Sequence, residues 1–263
     1  MDPLLSIAIN AARHAGKIML RYVDRVDSIR VDQKSPHDFV TEIDRSCEQT
    51  IIQIIQKKYP DHRIVAEESG LTEKSNKAEV TWIIDPLDGT TNYIHGFPQF
   101  AVSIAVRYND QLQQGVIYDP LRDELFSAGR GQGAKLNDRR IRVSNRTHLS
   151  EALLGTGFSC RASENQLQTY FTTIQAFASK VVGLRRAGSA ALDLAYIASG
   201  RLDGFWEMGL KIWDMAAGAL LIKEAGGIIS DNNGDEDYLK TGNIVAGNPK
   251  IFKAVLAIVQ ENF

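Results

Sequence analysis

The stretch Trp82-Ile83-Ile84-Asp85-Pro86-Leu87-Asp88-Gly89-Thr90-Thr91-Asn92 decides how this chain is read. An apolar, β-branched run leads straight into an aspartate, which is the pattern of a buried strand that stops at a polar edge. Aspartate is a poor sheet former and a poor core residue, so Asp85 needs a reason to be there. Pro86 reads as a turn that brings Asp88 back toward Asp85. Gly89 then lets the backbone approach a ligand closely, and Thr90-Thr91-Asn92 can open a helix whose N-terminus favours anions. Carboxylates beside an anion-binding turn make chemical sense when a divalent cation stands between them and a phosphate. Mg²⁺ suits the role, because it takes oxygen ligands and keeps positions for water and substrate. The expectation is a metal-dependent phosphate-ester hydrolase.

Upstream of this stretch, apolar residues from Leu4 to Tyr22 recur at helical spacing, so residues 3–26 read as an amphipathic helix with Pro3 in its first turn. A short strand signal and a loop at Lys34-Ser35-Pro36-His37 follow. Thr41 can cap a second helix that carries Ile43, Cys47, Ile51, Ile54 and Ile55 and ends near Tyr59-Pro60. Arg63–Ala66 reads as a buried strand that ends in Glu67-Glu68, and residues 72–79 as an exposed polar loop. Downstream, 101–106, 113–118 and 124–128 read as strands of one large sheet. After Asn145, strand runs at 152–156, 181–184, 227–230 and 243–246 alternate with helical patterns at 163–178, 188–199, 213–225 and 249–261. These imply a second sheet with its own helices. The chain reads as one domain over residues 1–263, with two lobes that meet near 140–150.

With 263 residues, 44% hydrophobic and 24% charged, the chain has the composition of a globular protein whose core needs no disulfide or structural metal. Cys47 and Cys160 have no zinc-type spacing and fit a reducing compartment. The N-terminus has no signal-peptide pattern and no apolar run reaches membrane-spanning length, so a cytoplasmic protein is expected. A net charge of −2 argues against a general nucleic-acid binder. The clusters Arg139-Arg140-Ile141-Arg142 and Arg185-Arg186 read as solvated faces. Gly129-Arg130-Gly131-Gln132-Gly133 lacks the Lys-Ser/Thr of a P-loop and reads as a turn. The five histidines are scattered without ligand spacing.

Five acidic residues sit at element ends: Asp44, Glu67, Asp85, Asp88 and Asp214. Taken singly, Asp214 is a helix cap, Asp44 a first-turn acid and Glu67 a loop residue. Should they converge in space, they would make a cation site. Two carboxylates about 4 Å apart repel by roughly 4 kcal/mol at an effective dielectric near 20, and bound Mg²⁺ removes that penalty. An oxygen-only ligand set disfavours zinc.

Three segments, Asp38–Asp44, Glu67–Gly70 with Trp82–Asn92, and Trp213–Gly218, in this order and spacing resemble the inositol monophosphatase family of Mg²⁺-dependent, lithium-sensitive sugar phosphatases. The resemblance covers the whole chain. It implies an α+β fold, an αβαβα layered sandwich of the sugar-phosphatase type, and a homodimer. It also implies hydrolysis of myo-inositol monophosphate and related polyol phosphates with two or three Mg²⁺ ions. By the same resemblance, Glu67, Asp85 and the Leu87 carbonyl hold a first ion, and Asp85, Asp88 and Asp214 a second. Glu67 reaches a third through water. Thr90, hydrogen-bonded to Asp44, positions the attacking water, and the Gly89 and Thr90 N–H groups bind phosphate. Glu207 and the loop Gly188-Ser189-Ala190 meet the polyol. The runs Arg185–Asp193 and Asp203–Glu207 are similar to a bacterial branch of the family that acts with RNA polymerase and the factor NusA in ribosomal RNA antitermination. In that role the phosphatase site could be dispensable.

Overall fold

The computed structural model describes residues 2–35, 38–72, 79–158 and 163–263. Helix α1 (Pro3–Tyr22) opens at Asp2, whose side chain accepts the Leu4 and Leu5 N–H groups, and buries Leu5, Ala8, Ala11, Ala12, Ala15 and Met19 on one face. It ends four residues short of the helix read from the sequence, because Val23–Ser28 tightens into a 3₁₀ stretch. Strands β1 (Val31–Ser35) and β2 (Asp38–Thr41) form an antiparallel ribbon that leads into α2 (Glu42–Lys58). The expected loop at 34–37 falls partly, and the polar loop at 72–79 largely, outside the described residues, as does Cys160.

Strands β3 (Arg63–Ala66), β4 (Gly70–Thr72) and β5 (Val80–Asp88) come next, then the short helix α3 (Thr90–Ile94). Strands β6 (Ala101–Tyr108), β7 (Gln111–Asp119), β8 (Glu124–Gly129), β9 (Gly133–Leu136) and β10 (Arg139–Arg140) follow. They make an eight-stranded sheet in the order β10-β9-β8-β7-β6-β5-β3-β4, in which the β3/β5 pair alone is parallel. The chain then builds β11 (Leu153–Thr156), α4 (Glu164–Ala178), β12 (Gly183–Arg185), α5 (Ala190–Ala198) and β13 (Gly204–Glu207). Helix α6 (Ile212–Glu224), β14 (Ile228–Ser230), α7 (Tyr238–Thr241), β15 (Ile244–Gly247) and α8 (Pro249–Asn262) complete it. The second sheet has the order β12-β11-β13-β15-β14. Strands β4, β9, β10 and β13 are not anticipated from the sequence, because each is short and lacks a sustained alternation.

Three apolar clusters set the layers. Helices α1 and α2 cover the outer face of the large sheet through Ile51, Ile55, Trp82, Ile84, Ile104 and Val116. Helices α5 and α6 fill the space between the sheets, packing on Ile83, Ala105, Ile117 and Phe126 of one and Phe205, Ile244 and Ala246 of the other. Helices α4 and α8 close the outer face of the small sheet over Leu154, Trp206 and Val245. The result is the α+β, αβαβα sandwich. Because α6 is covered on both sides, eight of its thirteen residues are buried, and its apolar residues run all round the helix.

Candidate active site

The deciding stretch does not turn at Pro86. Strand β5 continues to Asp88, and its pairing with β6 slips by one residue: Asp85 faces Ser103, while Asp88 faces Ala101. One extra residue on β5 is thus absorbed as a bulge. This decides where the acids point. Residues three apart on a regular strand face opposite sides of the sheet, but a one-residue bulge returns Asp88 to the side of Asp85. The backbone N–H of Leu87 donates to Asp85 Oδ1 at 3.0 Å and steadies the bulge.

Asp214 arrives from the middle layer. The cap of α6 is Lys211, not Asp214 as read from the sequence: Asp214 is the third residue of the helix, and its Oδ2 reaches back to accept the Lys211 N–H at 2.7 Å. Its capping bond leaves it able to meet the other two. One carboxylate oxygen each from Asp85, Asp88 and Asp214 lies within 4.8 Å of the others. Asp88 is held from α5, since its Oδ2 accepts the Ser189 hydroxyl and, at 2.9 Å, the Ala191 N–H. Burial first, then the charges of Glu67, Asp88 and Asp214, push the Asp85 carboxyl well above the ordinary carboxylate range. Burial and the Asp88 charge do the same to Asp214. Burial raises Asp88 to about 6, against the pull of its Ser189 and Ala191 bonds. Glu67 follows β3 and stands outside the trio, near enough to raise two of its members. Such a nest of mutually repelling carboxylates is relieved by a hard cation, and the donor set, carboxylate and carbonyl oxygen alone, fits Mg²⁺.

On one side of the trio stands the Thr90–Asp44 pair. Thr41 caps α2, and Asp44, three residues on, reaches back to accept the Thr41 N–H at 2.8 Å and the Thr41 hydroxyl. The other Asp44 oxygen accepts the Thr90 hydroxyl at 2.9 Å, and Thr90 Oγ1 also lies 3.1 Å from the Leu87 carbonyl. Burial pushes Asp44 up, while the bonds from Thr41 and Thr90 pull against it. Gly89 sets this corner, with φ of 90°, and a side chain there would start 2.8 Å from the Gln99 carbonyl oxygen.

On the other side is a cavity of about 140 Å³ lined by Asp88, Gly188, Ser189, Ala190, Glu207 and Asp214, with Asp193 and Arg186. Glu207 ends β13 in the small sheet. Burial raises it to about 8, with a contribution from Asp193, while Arg186 opposes. Gly157 makes room for it: a Cβ there would fall 2.0 Å from Glu207 Oε2. Asn92 ties the two walls together, donating to Gln99 O at 2.7 Å and to Ala187 O at 2.9 Å.

The structure therefore gathers Asp44, Thr90, Leu87, Asp85, Asp88 and Asp214 at one place, with Glu67, Gly89, Glu207 and the 188–190 loop around them. The sequence gives no catalytic or binding part to Asn92 or Asp193, and its reading of Arg186 as solvated holds, since Arg186 is exposed. Its guanidinium also lies 4.9 Å over the Phe158 ring, donates to the Phe158 carbonyl and lines the cavity. Arg139, Arg140 and Arg142 are exposed as expected. No described helix is long and apolar enough to cross a membrane.

A five-layer sandwich with an acidic trio at the junction of its layers defines a class, the sugar-phosphatase type of phosphate-ester hydrolase. Within it, a profile of the inositol monophosphatase family matches residues 1–262, and the chain belongs to that family. The chain is 53% identical over 262 residues to the Nus factor SuhB of Pseudomonas aeruginosa, covering 99% of this chain and 97% of that protein. It is 49% identical over 261 residues to the Nus factor SuhB of Escherichia coli K12, covering 99% and 97%. Among solved structures, the extragenic suppressor protein SuhB of Bartonella henselae superposes with a TM-score of 0.95 at 41% identity, with both chains fully covered. An inositol monophosphatase of Thermotoga maritima does so with a TM-score of 0.89 at 35% identity, covering 99% of this chain and 98% of that one.

Proposed function

We propose that this chain is a Mg²⁺-dependent phosphomonoesterase that hydrolyses myo-inositol monophosphate and similar small polyol phosphates. One observation carries the reading: Asp85, Asp88 and Asp214 meet between the Thr90–Asp44 pair and the Glu207 cavity. Glu67, Asp85 and the Leu87 carbonyl would hold one ion, Asp85, Asp88 and Asp214 a second, and Glu67 would reach a third through water. Bound there, Mg²⁺ neutralises phosphate charge and lowers the pKa of water in its shell.

The chain's own residues do the rest. Thr90 orients the attacking water and, through its bond to Asp44, gives the released proton a path to that carboxylate. The N–H groups of Gly89 and Thr90 hold phosphate oxygens. As the water oxygen bonds to phosphorus, the ester P–O bond breaks and the departing alkoxide takes a proton from solvent. Glu207, Gly188 and Ala190 meet the polyol. The Ser189 hydroxyl donates to Asp88, so what it offers the polyol is an oxygen lone pair. The expected quaternary state is a homodimer, in the cytoplasm, inhibited by Li⁺.

Phosphate release from a panel of sugar phosphates tests this, and it should require Mg²⁺. Asp85→Asn should lower turnover more than ~100-fold, beyond what losing an outer-shell partner of a metal costs. Near-normal turnover of that variant would remove the cation assignment.

A second reading rests on the names of the P. aeruginosa and E. coli relatives. By their likeness the chain acts as a Nus factor, contacting RNA polymerase or NusA during transcription of ribosomal RNA. If an Asp85→Asn protein without activity still complements loss of the gene, and the wild type pulls down RNA polymerase or NusA, this role stands apart from catalysis.

A further inference from the structure

Asp193 is a buried acid that the reaction described above does not use. It lies in the first turn of α5 and is 2% exposed. Among the described residues, no hydrogen bond or ion pair reaches its carboxyl. The donors beside it, the Ser189 hydroxyl and the Ala191 N–H, both go to Asp88. Arg186 is close enough to favour its charged form, yet burial and the Asp88 charge prevail and hold its proton affinity well above that of an ordinary aspartate. An unpaired buried carboxyl costs stability, and most buried polar groups in folded chains find partners. What faces Asp193 is the cavity itself, shared with Asp88, Arg186 and Glu207. Glu207 feels its charge, so the two acids of α5 and β13 are neighbours across that space.

We propose that Asp193 is a specificity residue for the leaving group, its missing partner being a hydroxyl of the polyol that reaches past the phosphate into this cavity. Paired with Glu207, it presents two carboxyls to one ligand, an arrangement suited to neighbouring hydroxyls on a polyol rather than to a simple alcohol or phenol. The assignment rests on the polyol phosphatase reading above and names a discriminating residue for it.

The test compares kcat/KM for myo-inositol 1-phosphate and for p-nitrophenyl phosphate, whose leaving group carries no further hydroxyl. The proteins are wild type, Asp193→Ala and the isosteric Asp193→Asn. In Asp193→Ala the ratio of polyol to aryl activity should fall about tenfold or more, the loss expected when a site built for a hydroxyl can no longer bind it. Asp193→Asn, which keeps hydrogen-bonding capacity, should recover part of the ratio. Asp193→Ala should melt at or above the wild-type temperature, because an unpaired buried carboxyl has been removed, and Asp193→Asn should melt near it. A purely structural Asp193 gives the opposite pattern: the ratio holds and the melting temperature drops. That result would overturn the assignment, and Asp193→Asn decides it should the alanine protein fail to fold. Wild-type protein that cleaves the aryl ester but no polyol phosphate would instead sink the polyol reading, and this residue's role with it. An unchanged ratio beside normal wild-type polyol activity would sink the Asp193 role alone.

Discussion

The folded chain holds protons on Asp85, Asp88 and Asp214 that an unfolded chain would release near pH 4. Asp88 shows the sign most plainly. Its carboxyl is raised from 3.8 to about 6, so the folded state binds the extra proton across that interval. The stability it contributes is complete below its unfolded value and is lost as the pH rises through about 6. In cation-free buffer, the melting temperature of the wild type should therefore fall relative to Asp88→Asn between pH 4 and 7. Asp32 and Glu124 are shifted the other way by Arg45 and Arg201, but they titrate alike in both proteins and cancel in the difference. Millimolar Mg²⁺ should shrink the effect, because the cation binds the ionised form. A difference flat with pH in thermal scans would contradict the repulsion on which the site depends. The acids of this trio were legible in the sequence because each sits at an element end, where an acid needs an explanation. Asp193 was not, since a single acid in Ala190-Ala191-Leu192-Asp193-Leu194 reads as the exposed point of a helix. In the folded chain it is buried, with β11 of the second sheet passing beside it at Gly155.

Elements carry the geometry that residues alone could not specify. The sequence shows that Asp85 and Asp88 lie close together, but Pro86 suggests a turn. The structure uses a one-residue slip of β5 against β6 instead, and register is set by the partner strand, which local sequence does not reveal. The start of α2, by contrast, was readable at Thr41, because capping is local chemistry. That cap links fold to reactivity: Thr41 accepts the Ile43 and Asp44 N–H groups and donates its hydroxyl to the carboxylate that Thr90 meets. Thr41→Ala should lower the free energy of unfolding by about 1 kcal/mol, measured by urea titration, from the lost cap. Turnover should fall as well, by about tenfold in kcat with a smaller change in KM, because Asp44 keeps only the backbone half of its Thr41 support. Loss of stability with unchanged kcat would mean that Asp44 needs no such orientation.

At the scale of the whole molecule, the site exists only where the layers meet. Asp85 and Asp88 come from the large sheet, Asp214 from α6, the grip on Asp88 from α5, and Glu207 from the small sheet. Affinity for the proposed cation should therefore depend on the spacing of the middle layer, where two glycines allow the close approach. A Cβ on Gly218 of α6 would lie 2.5 Å from the Leu194 Cβ of α5, and one on Gly115 of β7 would lie 2.9 Å from the Ala217 carbonyl. Neither contact can be relieved without moving a helix against its neighbour. Gly218→Val should then force α5 and α6 apart, at an overpacking cost of about 1–3 kcal/mol. It should also shift Asp214 relative to Asp88, although position 218 lies a full turn beyond Asp214 on the helix. A ligand that binds only the folded state stabilises it by about 2.7 kcal/mol at a hundred times its dissociation constant, so wild-type melting should climb with Mg²⁺ concentration. In Gly218→Val the same climb should need about tenfold more Mg²⁺, equivalent to a loss of about 1.4 kcal/mol in binding. If the variant melts lower by a constant amount at every Mg²⁺ concentration, the layers can separate without disturbing the acids. The spacing of α5 and α6 would then govern stability alone.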